Sequence, residues 1–414
     1  MAEPRAKGYC QYTQATYAMM GLLKNVCGQQ SMRSMEENFN TENVLTALQI
    51  MSADASLQEI PCADSLNYYL SKLQPQELSN VRCKMIRHLI RSRTFDNFRF
   101  LEKYWPVVLD GTGVHAFSER HCEHDLVCRR KLRDGKEQNI YYHKILEAKL
   151  VVGPLVMSIG TEFIENEDKH VTKQDCEQRA GKRLMERLKK EYPRLPICLQ
   201  GDGLYATEPV MRKCREYGWQ YIFTLKDKRP KELAQNYAAL RALHACEEKT
   251  DFGPEHGIGC YANHMEELCQ KDEIANVFSY EYRLKKKKEE KLVKFCWLSN
   301  LEINDRNLSA MIEEGRKRWK IENEGFNRQK NGIYDIEHLN SHNSCALKNH
   351  YLLTQIAEIL MQLQLYLSWN PYARKLKQSI KNTSSKLLVS LTEHSISSED
   401  VKYIEMHTKI HLSG

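Results

Sequence analysis

The chain has 414 residues, of which 42% are apolar and 28% charged, enough for two or three packed units and too mixed for a fibrous or disordered protein. Its 61 Lys and Arg against 54 Asp and Glu leave a net charge of +7, a mild basicity that admits a nucleic-acid partner without requiring one. Fourteen Cys lie between Cys10 and Cys345, several inside apolar runs such as Pro196 to Leu199, which favours reduced, buried thiols over a disulfide framework.

Near the N-terminus, Ala15 to Leu23 is an apolar stretch behind Arg5 and Lys7, but no small-residue cleavage site follows. A cytoplasmic protein without a membrane span is expected. From about residue 12 to 100, Leu22, Leu23, Val44, Leu45, Leu48, Ile50 and Met51 recur at helical spacings, and Asp64-Ser65 ahead of Leu66 is a helix start. Residues 1–100 thus form an expected helical region. Within it, Val81 to Arg93 carries five Arg or Lys, including Arg87, Arg91 and Arg93, and reads either as a solvated helix face or as a DNA contact.

After Tyr104-Trp105-Pro106 the period becomes strand-like: Val107 to Leu109, Ile140 to Val152 and Leu155 to Ile159. Cys176, Ala180, Leu184 and Leu188 recur every four residues, which predicts a helix. A short apolar run ends at Asp202, Glu208 to Tyr217 is helical, and Tyr221 to Leu225 is again a strand. Alternation of this kind predicts a mixed α/β layer with helices packed on a sheet. Residues 228–305 break the rhythm: Phe278, Tyr280, Tyr282 and Leu284 alternate on one face, a charged turn spans Lys285 to Glu290, and Lys291 to Leu298 returns as a second strand. A β-rich insertion is expected there. Helical spacing resumes at Leu308, Met311, Ile312 and Trp319, and an apolar helix covers about Tyr351 to Leu367. Residues 369–414 read as a polar tail.

Three carboxylates stand out. Asp110 and Asp202 each end an apolar run and precede Gly, and Glu322 lies in a basic helical segment, Arg-Trp-Lys-Ile-Glu. Strand-end carboxylates are rigidly held, and three that converge would bind divalent metal for phosphoryl chemistry. Taken singly, an Asp-Gly pair is also an ordinary turn, and a Glu in a helix is common. The strand ends at 110 and 202 are expected as neighbours in one sheet, with the helix of Glu322 laid across it. Glu162 and Glu165 read as supporting acids or as a solvated strand end. His121, Cys122, His124 and Cys128 offer four soft ligands within eight residues, in a spacing that matches no common structural zinc site; a reduced loop is the competing reading.

Together the segments Leu109-Asp110-Gly111-Thr112, Lys173-Gln174-Asp175-Cys176-Glu177, Gly201-Asp202-Gly203-Leu204-Tyr205-Ala206 and Arg318-Trp319-Lys320-Ile321-Glu322 make the chain resemble the DDE transposases of bacterial insertion sequences, in the group named for insertion sequence four. The resemblance covers about residues 105–365. It implies an RNase H-like core in two parts, 101–227 and 306–368, around the insertion at 228–305. It implies that Asp110, Asp202 and Glu322 ligate two magnesium ions, with manganese able to substitute, for cleavage of DNA ends and strand transfer. It also implies a homodimer on two paired ends of double-stranded DNA, a nucleoid-associated location, and a helical N-terminal region that helps hold the end.

The resemblance further implies that Arg318, one helical turn before Glu322, grips phosphate, and that Trp297 stacks on a flipped base; Trp319 is a second aromatic candidate for DNA contact. Val293, Phe295 and Trp297 share a strand face and read equally as core. The family signature has a Tyr three residues before that Arg and a Lys seven after the Glu. Here Gly315 and Gln329 stand at those positions, with Lys330 one place later as a substitute if the helix is distorted near Gly325. Two other readings share these features: a metal-dependent nuclease or resolvase that cuts without joining, and a non-catalytic DNA-binding descendant of a transposase.

Overall fold

The computed structural model describes residues 3–5, 10–120, 122–131, 135–167, 169–226, 230–253, 255–266, 274–286, 289–366 and 379–407. His121 and parts of the expected charged turn and polar tail lie outside them.

Five helices open the chain: α1 (Gln14–Val26), α2 (Met32–Phe39), α3 (Glu42–Ser52), α4 (Ala63–Lys72) and α5 (Pro75–Arg91). Thr13, Ser31 and Thr41 cap the first three by accepting a backbone N–H in the first turn, which fixes where each begins. Their apolar stripes do not close on themselves. Met20, Phe39, Leu48, Leu66 and Leu70 pack with Leu352, Leu353 and Ile356 of the long C-terminal helix α11 (Ser344–Tyr366), so residues far apart in the chain share one core.

The basic segment at the end of α5 divides: Lys84, Arg91 and Arg93 are exposed, as on a solvated face, while two of its guanidiniums turn inward. Arg82 is buried and donates to Ser158 Oγ at 2.8 Å and to Thr161 Oγ1, while Arg87 donates through Nε to the Glu191 carbonyl at 2.8 Å. These two guanidiniums dock α5 on the sheet, and burial of its Cys83, Ile86 and Leu89 completes the contact.

The strands are β1 (Trp105–Phe117), β2 (Leu126–Lys131), β3 (Glu137–Val152), β4 (Leu155–Ile164), β5 (Ile197–Gly201), β6 (Gln220–Thr224), β7 (Glu247–Phe252), β8 (Gly257–Ala262), β9 (Asn276–Lys286) and β10 (Glu289–Ser299). They make a ten-stranded mixed sheet in the order β2-β3-β1-β5-β6-β10-β9-β8-β7, with β4 also beside β3. β1, β3 and β4 are antiparallel neighbours; β5 and β6 are parallel to β1 and are reached through α6 (Glu177–Glu191) and α7 (Glu208–Tyr217). That order and those directions agree with the RNase H-like core expected. Between β6 and β7 lies α8 (Lys231–Ala242); β10 then pairs antiparallel with β6, so the 228–305 segment extends the same sheet.

Two segments were not legible as elements. β2 has one buried residue, Leu126, a half-buried Val127 and otherwise exposed side chains, so its apolar run is too short to mark a strand. Beyond residue 378, α12 (Ile380–Glu393) and α13 (Ser398–His407) replace part of the expected tail, and Leu387, Leu388 and Leu391 of α12 pack onto the N-terminal core.

One face of the sheet is apolar throughout: Val107, Leu109, Leu146, Leu150, Met157, Leu199 and Phe223 pack under Ala180, Leu184 and Leu188 of α6. The opposite face is mixed. It carries Val108, Glu147, Lys149, Ser158 and Gln200, covered by α11, by α9 (Leu308–Arg316) and by a π-helical turn, Ile321–Phe326, that leads into α10 (Asn327–Asn331). Among the described residues no helix is long and apolar enough to cross a membrane.

Candidate active site

The register sets the two aspartates side by side. Val108 lies opposite Gln200 in the parallel β1–β5 pair, and Asp110 and Asp202 follow two residues beyond each, hence on the same face. Asp202 stands just past the end of β5, whereas Asp110, expected at a strand end, lies within β1, because pairing with β3 carries that strand on to Phe117. Each carboxylate accepts a backbone N–H that follows it in the chain, Asp110 within β1 and Asp202 in the turn after β5. Asp110 Oδ1 accepts the Gly111 N–H at 2.9 Å, and Asp202 Oδ1 accepts the Leu204 N–H at 2.8 Å. Each second oxygen faces a cation too distant for a hydrogen bond: Arg318 lies 3.5 Å from Asp110 Oδ2, and Lys226 lies 3.7 Å from Asp202 Oδ2.

Burial drives the Asp110 carboxyl up to about 6. Arg318 and the Gly111 N–H oppose the shift, and the charges of Glu177 and Asp202 add to it. Glu177 opens α6 and reaches β1 from the other face of the sheet. It accepts Lys144 Nζ at 2.6 Å and Tyr205 OH at 2.9 Å. A Cβ at position 111 would sit 2.5 Å from Glu177 Oε2, so the Gly after Asp110 is what lets this third acid approach.

The chain from α9 onward crosses the site. Glu314, buried, accepts from Gln200 of β5 and from Lys317 at 2.9 Å, which ties the end of α9 to the strand that delivers Asp202. Arg318 thereby meets Asp110. Ile321 and Phe326 of the π turn pack with Val108, Val151 and Val156, so the turn rests on the strand that delivers Asp110. Glu322 projects from that turn as an exposed side chain. Its oxygens do not join those of Asp110 and Asp202 in a cluster within 4.8 Å; among the described residues such a cluster forms from Cys122, Asp125 and His143 instead.

The remaining sequence candidates separate by burial. Trp319 is 46% exposed. Trp297 is 2% exposed, its ring stacked between Phe278 at 5.1 Å and Phe295 at 5.6 Å, so a base reaches it only if that stack opens. A Cβ on Gly315 would lie 2.6 Å from the Trp297 indole, which accounts for Gly where the family signature has Tyr. Gln329, at the signature Lys position, is buried and donates to Gln355 Oε1 at 2.9 Å and to Glu358. The helix is distorted before it by the π turn, which adds a residue to the turn, and Lys330 lies 2.7 Å from Glu337.

Other candidates are committed to internal pairs. Glu162 binds Arg183 at 2.6 Å and also Arg187, and Glu165 binds Lys348 at 2.6 Å. Lys226 carried no distinguishing signal as a functional residue, because only the strand register brings it to Asp202; Glu177 stood in a segment of the resemblance without a role, and the packing of α6 brings it to Asp110.

Beside the aspartates opens a cleft of about 1370 Å³ whose lining includes Lys226, Arg241, Lys294, Arg316, Arg318 and Trp319. Small-molecule pockets run to roughly 1,000 Å³. Glu281 faces Arg241 at 3.0 Å and Lys294 at 3.6 Å, Glu255 holds Arg316 at 2.6 Å, and Glu248 also lines the cleft, so its cations are largely paired with acids in the free protein.

Fold and site together define a mixed α/β protein, consistent with an RNase H-like core, that carries two aspartates side by side on adjacent central strands. No family model matches the sequence, and no curated protein matches it. Among solved structures it is similar to the piggyBac transposase in a synaptic complex with hairpin DNA, seen by cryo-EM, at 13% identity and a TM-score of 0.37 over 98% of this chain and 77% of that one.

Proposed function

We propose that the chain is a DDE-type DNA transposase of the group named for insertion sequence four, which cleaves DNA at element ends and joins them to a target. The observation that carries this reading is the aspartate pair. Asp110 within β1 and Asp202 just past the end of β5 lie on one face of adjacent strands, with each outer oxygen turned to a cation it does not hydrogen-bond. Oxygen donors held by backbone N–H groups fit hard divalent ions once the facing cations turn away, and Asp110 and Asp202 would hold magnesium, with Glu322 as a third ligand when the turn that carries its exposed side chain brings it to them. Bound there, the metal supplies activation of a water or 3′ hydroxyl and stabilisation of the leaving oxygen.

The chain's own residues do the rest. Arg318 and Lys226 balance the aspartates in the free protein and turn to DNA phosphates in the complex. Trp319 offers its exposed face to an unstacked base, while Trp297 holds the cleft wall. Lys330 grips phosphate on leaving Glu337. A homodimer on paired ends completes the reading.

The experiment uses purified protein and an Asp202→Asn variant with labelled DNA that carries the sequences flanking the coding region, plus magnesium. Cleaved and joined products from the parent and neither from the variant are expected. Cleavage without joining would favour the nuclease reading; binding without cleavage by the parent would favour the non-catalytic DNA-binding reading.

A further inference from the structure

Past the far end of β1 the chain loops back, and three side chains of different chemistry converge there. Cys122 Sγ lies 3.2 Å from Asp125 Oδ1 and 3.9 Å from His143 Nε2, and His143 Nε2 lies 3.0 Å from Asp125 Oδ1. All three ligand atoms fall within 4.8 Å of one another. Bonds of 2.0 to 2.3 Å around a tetrahedral zinc ion would separate its ligand atoms by about 3.3–3.6 Å, so the triangle is already close to the size a zinc ion requires.

The surroundings hold this triangle in place. Asp125 is fully buried and accepts the Cys122 N–H at 3.0 Å through its other oxygen. Asn166 donates from its side chain to the Asp125 carbonyl at 2.8 Å and from its backbone to the His124 carbonyl at 3.0 Å. Gln174 bonds both the N–H and the carbonyl of Val127, at 2.6 and 2.9 Å. His143 comes from the middle of β3, opposite His115 of β1. Loop and strand are therefore fixed before any ligand arrives, and ligand groups placed in advance lose little freedom on binding.

We propose that Cys122, Asp125 and His143 form a zinc site, not the sequence cluster of His121, Cys122, His124 and Cys128. His124 turns instead to the Asn166 carbonyl, and Cys128 is exposed. A thiolate, an imidazole and a carboxylate select zinc over magnesium, because sulfur is a poor ligand for a hard ion. Binding releases the thiol proton to solvent and leaves one carboxylate, one thiolate and a neutral imidazole around a dication, so the buried charges cancel. Three protein ligands leave the fourth position of the tetrahedron to water. The site lies four residues along β3 from Glu147, the partner of Asp110, or about 14 Å, and is independent of the aspartate pair. Its consequence is mechanical: it clips the loop after β1 to β3, the strand on which β1 aligns.

The experiment measures zinc by mass spectrometry in the full chain after dialysis against metal-free buffer, and adds cobalt(II) to zinc-stripped protein. One zinc per chain and a thiolate-to-cobalt charge-transfer band are expected in the parent, in Cys128→Ser and in Asp202→Asn. Zinc falls at least tenfold in Cys122→Ser and His143→Gln, and the band disappears in Cys122→Ser. A parent with neither zinc nor the charge-transfer band would overturn the site, and this result needs no variant to fold. Full zinc retained in both Cys122→Ser and His143→Gln would overturn it as well.

Discussion

At Asp110 the cost of burying a charge is visible in one side chain. Burial pushes its carboxyl up from 3.8 to about 6, against the pull of Arg318. A carboxyl whose folded pKa lies above its unfolded value binds its proton more tightly in the fold. Ionised Asp110 therefore destabilises the fold above about pH 6, and the penalty fades as pH falls toward 4. In metal-free protein, Asp110→Asn should raise stability at pH 7.5 by roughly 1–2 kcal/mol and leave it unchanged at pH 4. Urea unfolding in a chelator at both pH values measures this. A loss at pH 7.5 would mean that the ion pair with Arg318 outweighs burial. Magnesium should stabilise the parent and not the variant.

Among elements, α11 is the one on which two cores depend. It is buried along most of its length because the N-terminal helices lie on one side and the sheet on the other, and its polar side chains are spent inside. Asn349 donates to the carbonyls of Leu70 and Leu73 at 2.8 and 2.6 Å; Lys149 of β3 reaches Glu358 at 3.1 Å; Gln362 bonds both backbone groups of Val156 on β4. His350 pairs with Asn67 at 2.9 Å, and burial, aided by Lys24, pushes its pKa down to about 3. The imidazole is thus neutral in the fold and titrates near 6.5 once unfolded, so its stabilising effect is present above pH 6.5 and is lost as pH falls toward 3. Stability should drop by on the order of 2 kcal/mol between pH 6.5 and 4.5, with hydrogen exchange rising in α4 and α11. His350→Gln should flatten that dependence. An unflattened slope would assign it to His115, which burial pushes down to about 4.

For the molecule as a whole, the cleft beside the aspartates is the surface on which the proposed DNA partner is tested. On that proposal duplex DNA displaces counterions there, so affinity falls with salt in proportion to the phosphates contacted. Lys226→Glu and Arg318→Glu should each lower the log–log salt slope by about 1 and weaken binding evenly across sequences. Trp319→Ala should weaken binding with the slope unchanged, because stacking on a base releases no ions. Fluorescence anisotropy over a potassium chloride series separates the two effects. A slope unaltered in both charge variants would place the DNA on another face.

The sequence by itself determined the local elements and the class of the fold. Leu199 to Gly203 reads as a strand end because an apolar run stops at a polar residue and a Gly, whereas the same signal at Leu109-Asp110-Gly111 falls inside β1, which pairing with β3 carries on to Phe117. The four-residue recurrence of α6 and the alternation in β9 likewise depend only on neighbours in the chain. Tertiary structure alone decided which distant groups meet. Strand register put Lys226 on Asp202 and His143 beside Cys122 and Asp125; the docking of α9 on β5 put Arg318 on Asp110; the packing of α11 joined the N-terminal helices to the core; the closeness of Trp297 decided that residue 315 is Gly. The reason is physical: periodicity reports which face of an element is buried, whereas pairing across the sheet depends on how many elements compete for that face and in what register they settle.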